Sequence, residues 1–168
     1  MTLTLDATVG GATSNTYATL AEAESYFEAR LHVSSWTAAA TATKNAALAM
    51  ATKAIDRSVV WEGIKADEAQ ALQWPREYVE DPDTGEDFDS TAIPTRIKDA
   101  QCELALSLIS EDRTLDSDGF KRIKAGSVEA EYASTDAKPV LPRPVRELLR
   151  DLGTFGGASL QIVPLVRS

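Results

Sequence analysis

The chain has 168 residues, a formal net charge of −9 and a sequence pI near 4.6. Its length fits one domain, and its 43% hydrophobic and 26% charged residues exclude wholesale disorder and collagen-like or disulfide-dense classes. The acidic charge disfavours tight binding of nucleic acid, which normally needs a basic stripe. The charge is compatible with passage of DNA through an acidic channel, because electrostatic repulsion prevents the DNA from binding to the channel wall.

Neither a membrane span nor a signal peptide is recognisable. No apolar run approaches the roughly 18 to 20 residues that cross a bilayer, and the start MTLTLDATVGG lacks a basic beginning and a long apolar stretch. We therefore expect a soluble protein made in a cytoplasm. The single cysteine, Cys102, lies in an apolar helical pattern, so we expect it to fill the core.

Residues 1–18 mix threonine, short apolar residues and the breakers Gly10 and Gly11, which predicts an extended N-terminal arm. The first helix begins sharply, because Thr19 and Glu22 have the spacing of a capping box. Its apolar residues recur at helical spacing: Leu20, Ala23, Phe27 and Leu31. Such a stripe needs a partner inside the domain.

A second, alanine-rich helix is predicted from about Thr43 to Trp61 and Gly63, and its alanines permit close helix contact. Residues 64–93 then lack one sustained period and contain several prolines, which indicates a long structured connection. Connections of this length are uncommon inside compact domains and are often functional. We expect this one to make contacts with other proteins.

A third helix is predicted to start at Pro94 and to end before Glu111, with a broad apolar face. Residues 120–134 alternate apolar and polar side chains, which favours a strand or hairpin. The last helix runs from about Pro144 to Gly153. The fold predicted is mainly α, a small bundle of about four helices over 19–153, with a short β hairpin or strand and extended arms at 1–18 and 154–168.

The C-terminal arm is too apolar for a free disordered end. Two alternatives stay open with about equal weight: the arm packs on its own domain, or it pairs with a neighbouring chain by strand addition. Its candidate interface residues are the apolar ones, Leu160, Ile162, Val163, Leu165 and Val166.

No pattern in the sequence predicts a catalytic residue, a metal site or a cofactor. His32 is the only histidine, and we expect it to complement the dipole at the end of the first helix. The acidic residues 81–89 around Gly85 do not have the spacing of an EF-hand calcium loop, so a solvated turn is the expected structure. Gly10-Gly11 and Gly156-Gly157 form neither GxGxxG nor a Walker loop.

Trp61 and Trp74 lie next to turn-forming residues. Core filling is the commoner role of such tryptophans, and anchoring an interface is the alternative. Arg76, in the sequence QWPRE, has a guanidinium that could stack on an aromatic ring or bind a neighbour's carboxylate. Trp74, Arg76 and Tyr78 are therefore candidate interface residues.

The order of motifs resembles a family of tailed-phage structural proteins, the head-tail connector adaptors or head completion proteins. The resemblance covers roughly residues 14–132, and its most specific pieces are NTYATLAEAESYF, WEG, QWPRE and the helix that begins at IP. Close relatives are often labelled DnaT-like single-stranded-DNA-binding proteins. Such binding is the alternative function, although the charge and the aromatic patterns argue against it.

The resemblance implies a helical virion protein, made in the host cytoplasm, that joins a homo-oligomeric ring of twelve copies beneath the portal. The expected partners are the portal protein, a tail or stopper protein and other copies of the chain. Double-stranded DNA passes through transiently, and neither a membrane nor a cofactor is implied.

Overall fold

A computed structural model of the protein describes residues 3–111, 120–125, 128–133 and 139–155, with only the backbone described for 120–133. The helices of these ranges are α1 (Leu20–Glu28), α2 (Ser34–Ala38), α3 (Thr41–Ser58), α4 (Thr95–Ser110) and α5 (Arg143–Leu149). The strands are β1 (Val59–Trp61), β2 (Ile64–Lys65), β3 (Arg76–Glu77), β4 (Phe120–Ala125), β5 (Val128–Ala133) and β6 (Gly153–Phe155). The predicted mainly α fold with a short hairpin is confirmed.

The α3–α4 pair forms the centre of the core. Leu48, Ala51 and Ile55 of α3 are fully buried, as are Ile97 and Leu104 of α4. The alanines of α3 let the two helices approach closely, as their spacing predicts. On another side of α4, α5 buries its own apolar stripe, which includes Val145 and Leu149.

The start of α1 is as predicted. The Thr19 side chain accepts a hydrogen bond from the Glu22 amide, and the Glu22 carboxylate accepts one from the Thr19 amide. The helix ends at Glu28, however, so Leu31 lies beyond it and is 78% exposed. His32 also lies in the following turn, with a φ of 61°, instead of at the end of the helix.

The short helix α2 is absent from the predicted elements. Its buried residue is Trp36. The Trp36 ring packs on Phe27 with centroids 4.4 Å apart, and its indole nitrogen donates to Glu24 at 3.1 Å. Five residues are too few to show a helical period, which explains why the pattern of the sequence did not reveal this helix.

The described part of the predicted N-terminal arm, residues 3–18, packs on the domain. The amide of buried Gln101 links this segment to the core: its oxygen accepts from the Ala18 amide at 2.8 Å, and its nitrogen donates to Thr16 Oγ1 at 2.6 Å and to the Leu48 carbonyl at 3.0 Å. Farther along, the Gly11 carbonyl accepts from the Ala71 amide at 3.0 Å. These bonds hold the described part of the arm against the domain.

Three antiparallel strand pairs are present in the described ranges: β1 with β6, β2 with β3, and β4 with β5. The second predicted helix ends earlier than expected, at Ser58, because Val59–Trp61 pairs with Gly153–Phe155. A Cβ atom at Gly153 would lie 2.5 Å from the Val60 carbonyl, so glycine is required for this close pairing. The first two residues of the predicted C-terminal arm, Thr154 and Phe155, therefore belong to the folded domain.

The segment predicted at 120–134 is a two-stranded hairpin, with register Phe120↔Ala133 at one end and Ala125↔Val128 at the other. No helix of the described residues is long and apolar enough to cross a membrane.

Candidate interaction surfaces

Three predicted interface residues follow one another closely in the chain but occupy different environments. Trp74 is 1% exposed and lies edge-on between Trp61 and Phe88, with ring centroids 5.9 and 5.8 Å away. Trp74 is thus a core residue of the folded chain and is not available at its surface. The commoner role of such tryptophans, core filling, applies to it.

Arg76 is also buried, which corrects the expectation of a guanidinium that faces a neighbouring chain. Its Nε donates to the Glu62 carbonyl at 2.5 Å, its Nη2 to the Gly63 carbonyl at 2.7 Å, and its Nη1 to the Gln73 carbonyl at 3.1 Å. The planar guanidinium thereby satisfies carbonyl groups of two separate turns. Burial lowers the pKa of Arg76 below its ordinary value.

Tyr78, by contrast, is 71% exposed and adopts a φ of 60°, a left-handed conformation that is uncommon for a bulky residue. It lies beside the tight turn between β1 and β2, where Gly63 has a φ of 64° and sits against the Tyr78 backbone. Two further apolar residues flank this turn, Val60 at 66% exposure and Ile64 at 56%. We call the set of Val60, Ile64 and Tyr78 the turn surface.

The charges around the turn surface are acidic. Glu62 and Glu80 are exposed and Glu77 is half-buried. The two cations of the same stretch are turned inward: Arg76 is bound as described, and the Lys65 ammonium donates to the Gln70 carbonyl at 3.3 Å. The exposed charged residues closest in the chain to the turn surface are therefore acidic.

A second candidate surface is a groove of about 620 Å³ between α1, α4 and α5. Its apolar lining consists of Tyr26, Pro144 and Leu148. Two cations and two anions complete the lining: Arg30, Arg150, Glu103 and Glu147. We call it the α5 groove. On the same helix Arg143 and Arg146 are exposed, but neither lines the groove.

The carboxylate of Glu103 connects two other residues that line the α5 groove, Arg30 and Tyr26. Arg30 binds it through both Nε and Nη2, and the Tyr26 hydroxyl donates to it at 2.8 Å. Burial alone would raise the pKa of Glu103, but these hydrogen bonds lower it below its ordinary value. Burial of Tyr26, its hydrogen bond to Glu103 and the negative charge of Glu103 raise the pKa of Tyr26.

The acidic segment 81–89 forms the turn that its residues predict. Gly85 has a φ of 72°, and its amide donates to the Asp81 carbonyl at 2.7 Å. Arg96 of α4 binds Asp83 at 2.7 Å and lies 3.8 Å from Asp81. Across the described ranges, no group of three or more histidine, cysteine, aspartate or glutamate residues is arranged to hold a metal ion.

Two further titratable groups have raised pKa values, the half-buried Asp56 and the buried Cys102. Asp56 accepts from the Tyr17 hydroxyl at 2.5 Å and from the Gln73 amide at 3.2 Å, and burial raises its pKa to about 6. Cys102 is 2% exposed, and burial raises the pKa of its thiol to about 12. Its burial confirms its predicted place in the core.

The remaining predicted interface residues, Leu160, Ile162, Val163, Leu165 and Val166, lie outside the described residues. Sequence reasoning missed Val60 and Ile64. Their signal was the β-branched run VVWEGI around Gly63, which is typical of two strands joined by a tight turn.

The described residues form a mainly α domain with three exposed large apolar side chains in the stretch 60–78. A family model described as "Putative DnaT-like ssDNA binding protein" matches residues 1–168, and the chain belongs to this family. No curated protein and no solved structure matches the chain. The DnaT-like label expected for its relatives is thereby confirmed, whereas the adaptor role has no matching relative.

Proposed function

We propose that this protein is a non-enzymatic virion protein that forms the adaptor ring between the portal and the tail of a tailed phage. The observation that carries the proposal is the turn surface, where three large apolar side chains are exposed beside one turn. Exposed apolar residues that occur singly are ordinary, but a group with a polar rim is typical of a protein–protein contact. The motif order of the chain supports the particular assembly.

The charge of the chain fits this role. A ring with a net charge of −9 on every copy repels the phosphate backbone, so double-stranded DNA passes through without being held. The portal lies above the ring and a tail or stopper protein below it. The ring has twelve copies in this proposal, needs no cofactor and lies in the virion at the head-tail interface.

The test is binding to the portal protein encoded in the same genome. We expect the two proteins to co-elute from a size-exclusion column, and a variant that lacks residues 158–168 to remain folded but to bind less. Failure to bind either the portal or any tail component contradicts the proposal.

Binding of single-stranded DNA is the second candidate function, and the family description supports it more directly than it supports the adaptor role. A specific feature of the sequence also favours it. Seven of the 17 basic residues fall within 120–150, in and after the β4–β5 hairpin: Lys121, Arg122, Lys124, Lys138, Arg143, Arg146 and Arg150. A local basic region of this kind attracts phosphates even in an acidic chain.

Against this candidate, the rings of Phe27, Trp36 and Trp74 are buried, so they offer no platform on which bases stack. Fluorescence anisotropy with labelled single-stranded oligonucleotides at low salt decides the matter. Binding that weakens steeply with added salt and is lost in Arg143→Glu/Arg146→Glu supports the second candidate. No binding even at low salt removes it.

A further inference from the structure

We propose that the N-terminal segment, residues 3–18, and the first part of the connection, residues 64–80, open together as one unit, separately from the α3–α4 helix pair. We call the two segments the linked unit, and their shared anchor is the carboxylate of Asp56 on α3. The inference goes beyond the proposed function and does not rest on it, since it concerns the folded chain alone. Its functional consequence is coupling: a partner that binds the exposed Tyr78 would also stabilise the N-terminal segment.

Asp56 binds both segments, one with each carboxylate oxygen. Its Oδ1 accepts from the Tyr17 hydroxyl at 2.5 Å, and its Oδ2 accepts from the Gln73 amide at 3.2 Å. Burial and the charge of Asp56 raise the pKa of Tyr17 well above its ordinary value, so the hydroxyl keeps the proton that it donates. Burial raises the pKa of Asp56 itself, while the positive charges of Lys65 and Arg76 in the connection attract this carboxylate and oppose the rise.

The two segments also contact each other directly. The Ala71 amide of the connection donates to the Gly11 carbonyl of the N-terminal segment at 3.0 Å. Both segments line one cavity of about 10 Å³, to which Val9 contributes from the first and Trp74 from the second. A cavity of this size has room for no more than about one water, so each segment packs closely against the other. Opening of one segment therefore removes contacts of the other.

The linked unit is less strongly packed than the helix pair. Tyr17 and Ala18 are buried in the N-terminal segment, and Trp74 and Val79 in residues 64–80, whereas α3 and α4 each bury apolar residues along their whole length. Neither segment of the unit contains a helix. Parts of a protein with few buried apolar residues open at a lower free energy than its packed core. We therefore expect the unit to open while the helix pair stays closed.

The experiment is native-state hydrogen exchange of the full chain at about pH 7, followed amide by amide with NMR. In the wild-type chain we expect the Leu104 amide of α4 to be protected at least about tenfold more strongly than the amides of Ala71 and Gln73. Tyr17→Phe removes the hydroxyl that binds Asp56 and keeps the ring. The Ala71 and Gln73 amides then exchange about tenfold faster, because the opening that exposes them no longer breaks this hydrogen bond.

A second variant tests the coupling in the opposite direction. Arg76→Lys loosens the connection, because an ammonium group lacks the planar fork that binds the carbonyl groups of two separate turns. The amide of Ala18, at the other end of the linked unit, donates to the Gln101 side chain of α4 at 2.8 Å. We expect this amide to exchange about tenfold faster in Arg76→Lys, because coupling between two sites is reciprocal.

The matched control is Tyr26→Phe, which likewise removes a tyrosine hydroxyl from a carboxylate, that of Glu103 on α4. Tyr26 lies outside the linked unit, so the Ala71 and Gln73 amides are expected to exchange at the wild-type rate in this variant. Circular dichroism checks that all variants are folded, and either Tyr17→Phe or Arg76→Lys alone decides the matter.

Three results would overturn the inference. The first is wild-type exchange of the connection amides in Tyr17→Phe, or of the Ala18 amide in Arg76→Lys. The second is equal acceleration of the connection amides by Tyr26→Phe, which would mean that they exchange only when the whole chain unfolds. The third is equal protection of these amides and Leu104 in the wild-type chain.

Discussion

The α3–α4 helix pair and the segment 62–80, which includes the first part of the connection at 64–93, are stabilised in different ways. The helix pair buries many apolar side chains, and each contributes through contacts with several neighbours. In the connection, two buried polar side chains bind backbone carbonyl groups: Arg76 binds those of Glu62, Gly63 and Gln73, and Gln70 binds those of Leu72 and Pro75. The first region provides stability, and the second fixes the shape of an exposed surface.

The largest effect is expected in the helix pair. Leu104→Ala removes a fully buried side chain of α4 and leaves a cavity, which lowers the free energy of unfolding by about 2–5 kcal/mol. Urea denaturation measures the change. A loss below about 1 kcal/mol would show that the core is less tightly packed than the structure indicates.

Arg76→Ala tests the connection. The substitution leaves the carbonyl groups of Glu62, Gly63 and Gln73 without their buried donor, and we expect a loss of about 1–3 kcal/mol in the free energy of unfolding. Arg57→Ala, at an exposed position of α3, is the control and is expected to change it by less than about 0.5 kcal/mol. Equal effects of the two substitutions would mean that the guanidinium of Arg76 does not hold the turn.

Asp56 connects the two regions, because it lies on α3 and accepts from Gln73 of the connection. Burial raises its pKa to about 6 in the folded chain, above the ordinary value of 3.8. The folded state therefore binds this proton more tightly than the unfolded state does. Its stabilising contribution is full below about pH 4 and is lost as the pH rises through about 6. Asp56→Asn is expected to remove this pH dependence, as followed by thermal unfolding across that window.

The smallest effect is expected at the surface of α5. Arg143 and Glu147 form an exposed ion pair one helical turn apart, at 2.7 Å. Glu147→Gln is expected to lower the free energy of unfolding by no more than about 0.5 kcal/mol, and high salt should abolish the difference. A loss of more than about 1 kcal/mol would show that Glu147 has a structural role beyond this pair.

The contrast between the two regions also explains what the sequence could predict. The capping box at Thr19 and the apolar face of α4 are local patterns, and both appear in the structure as expected. The end of α3 was not predictable in this way, because Val59 continues the helical spacing but is drawn into a strand by Gly153–Phe155, more than 90 residues away. Local periodicity carries no information about a partner so distant.

The same difference between local patterns and contacts of distant residues applies to the candidate interface residues. Arg76 was a candidate interface residue because its guanidinium could stack on an aromatic ring or bind a neighbour's carboxylate. The carbonyl groups that bind it come together only in the folded chain. Tyr78, two residues further on, is exposed as an interface residue must be. Val60 and Ile64 were missed because their exposure depends on the turn at Gly63 and not on their apolar character.

The most direct measurement of the proposed role is negative-stain imaging of the portal protein with and without this chain. The adaptor role predicts an added ring of density on one face of the portal that is present only when the chain is added. Portal particles that look the same with and without the chain, at concentrations where it is folded and in excess, would contradict it.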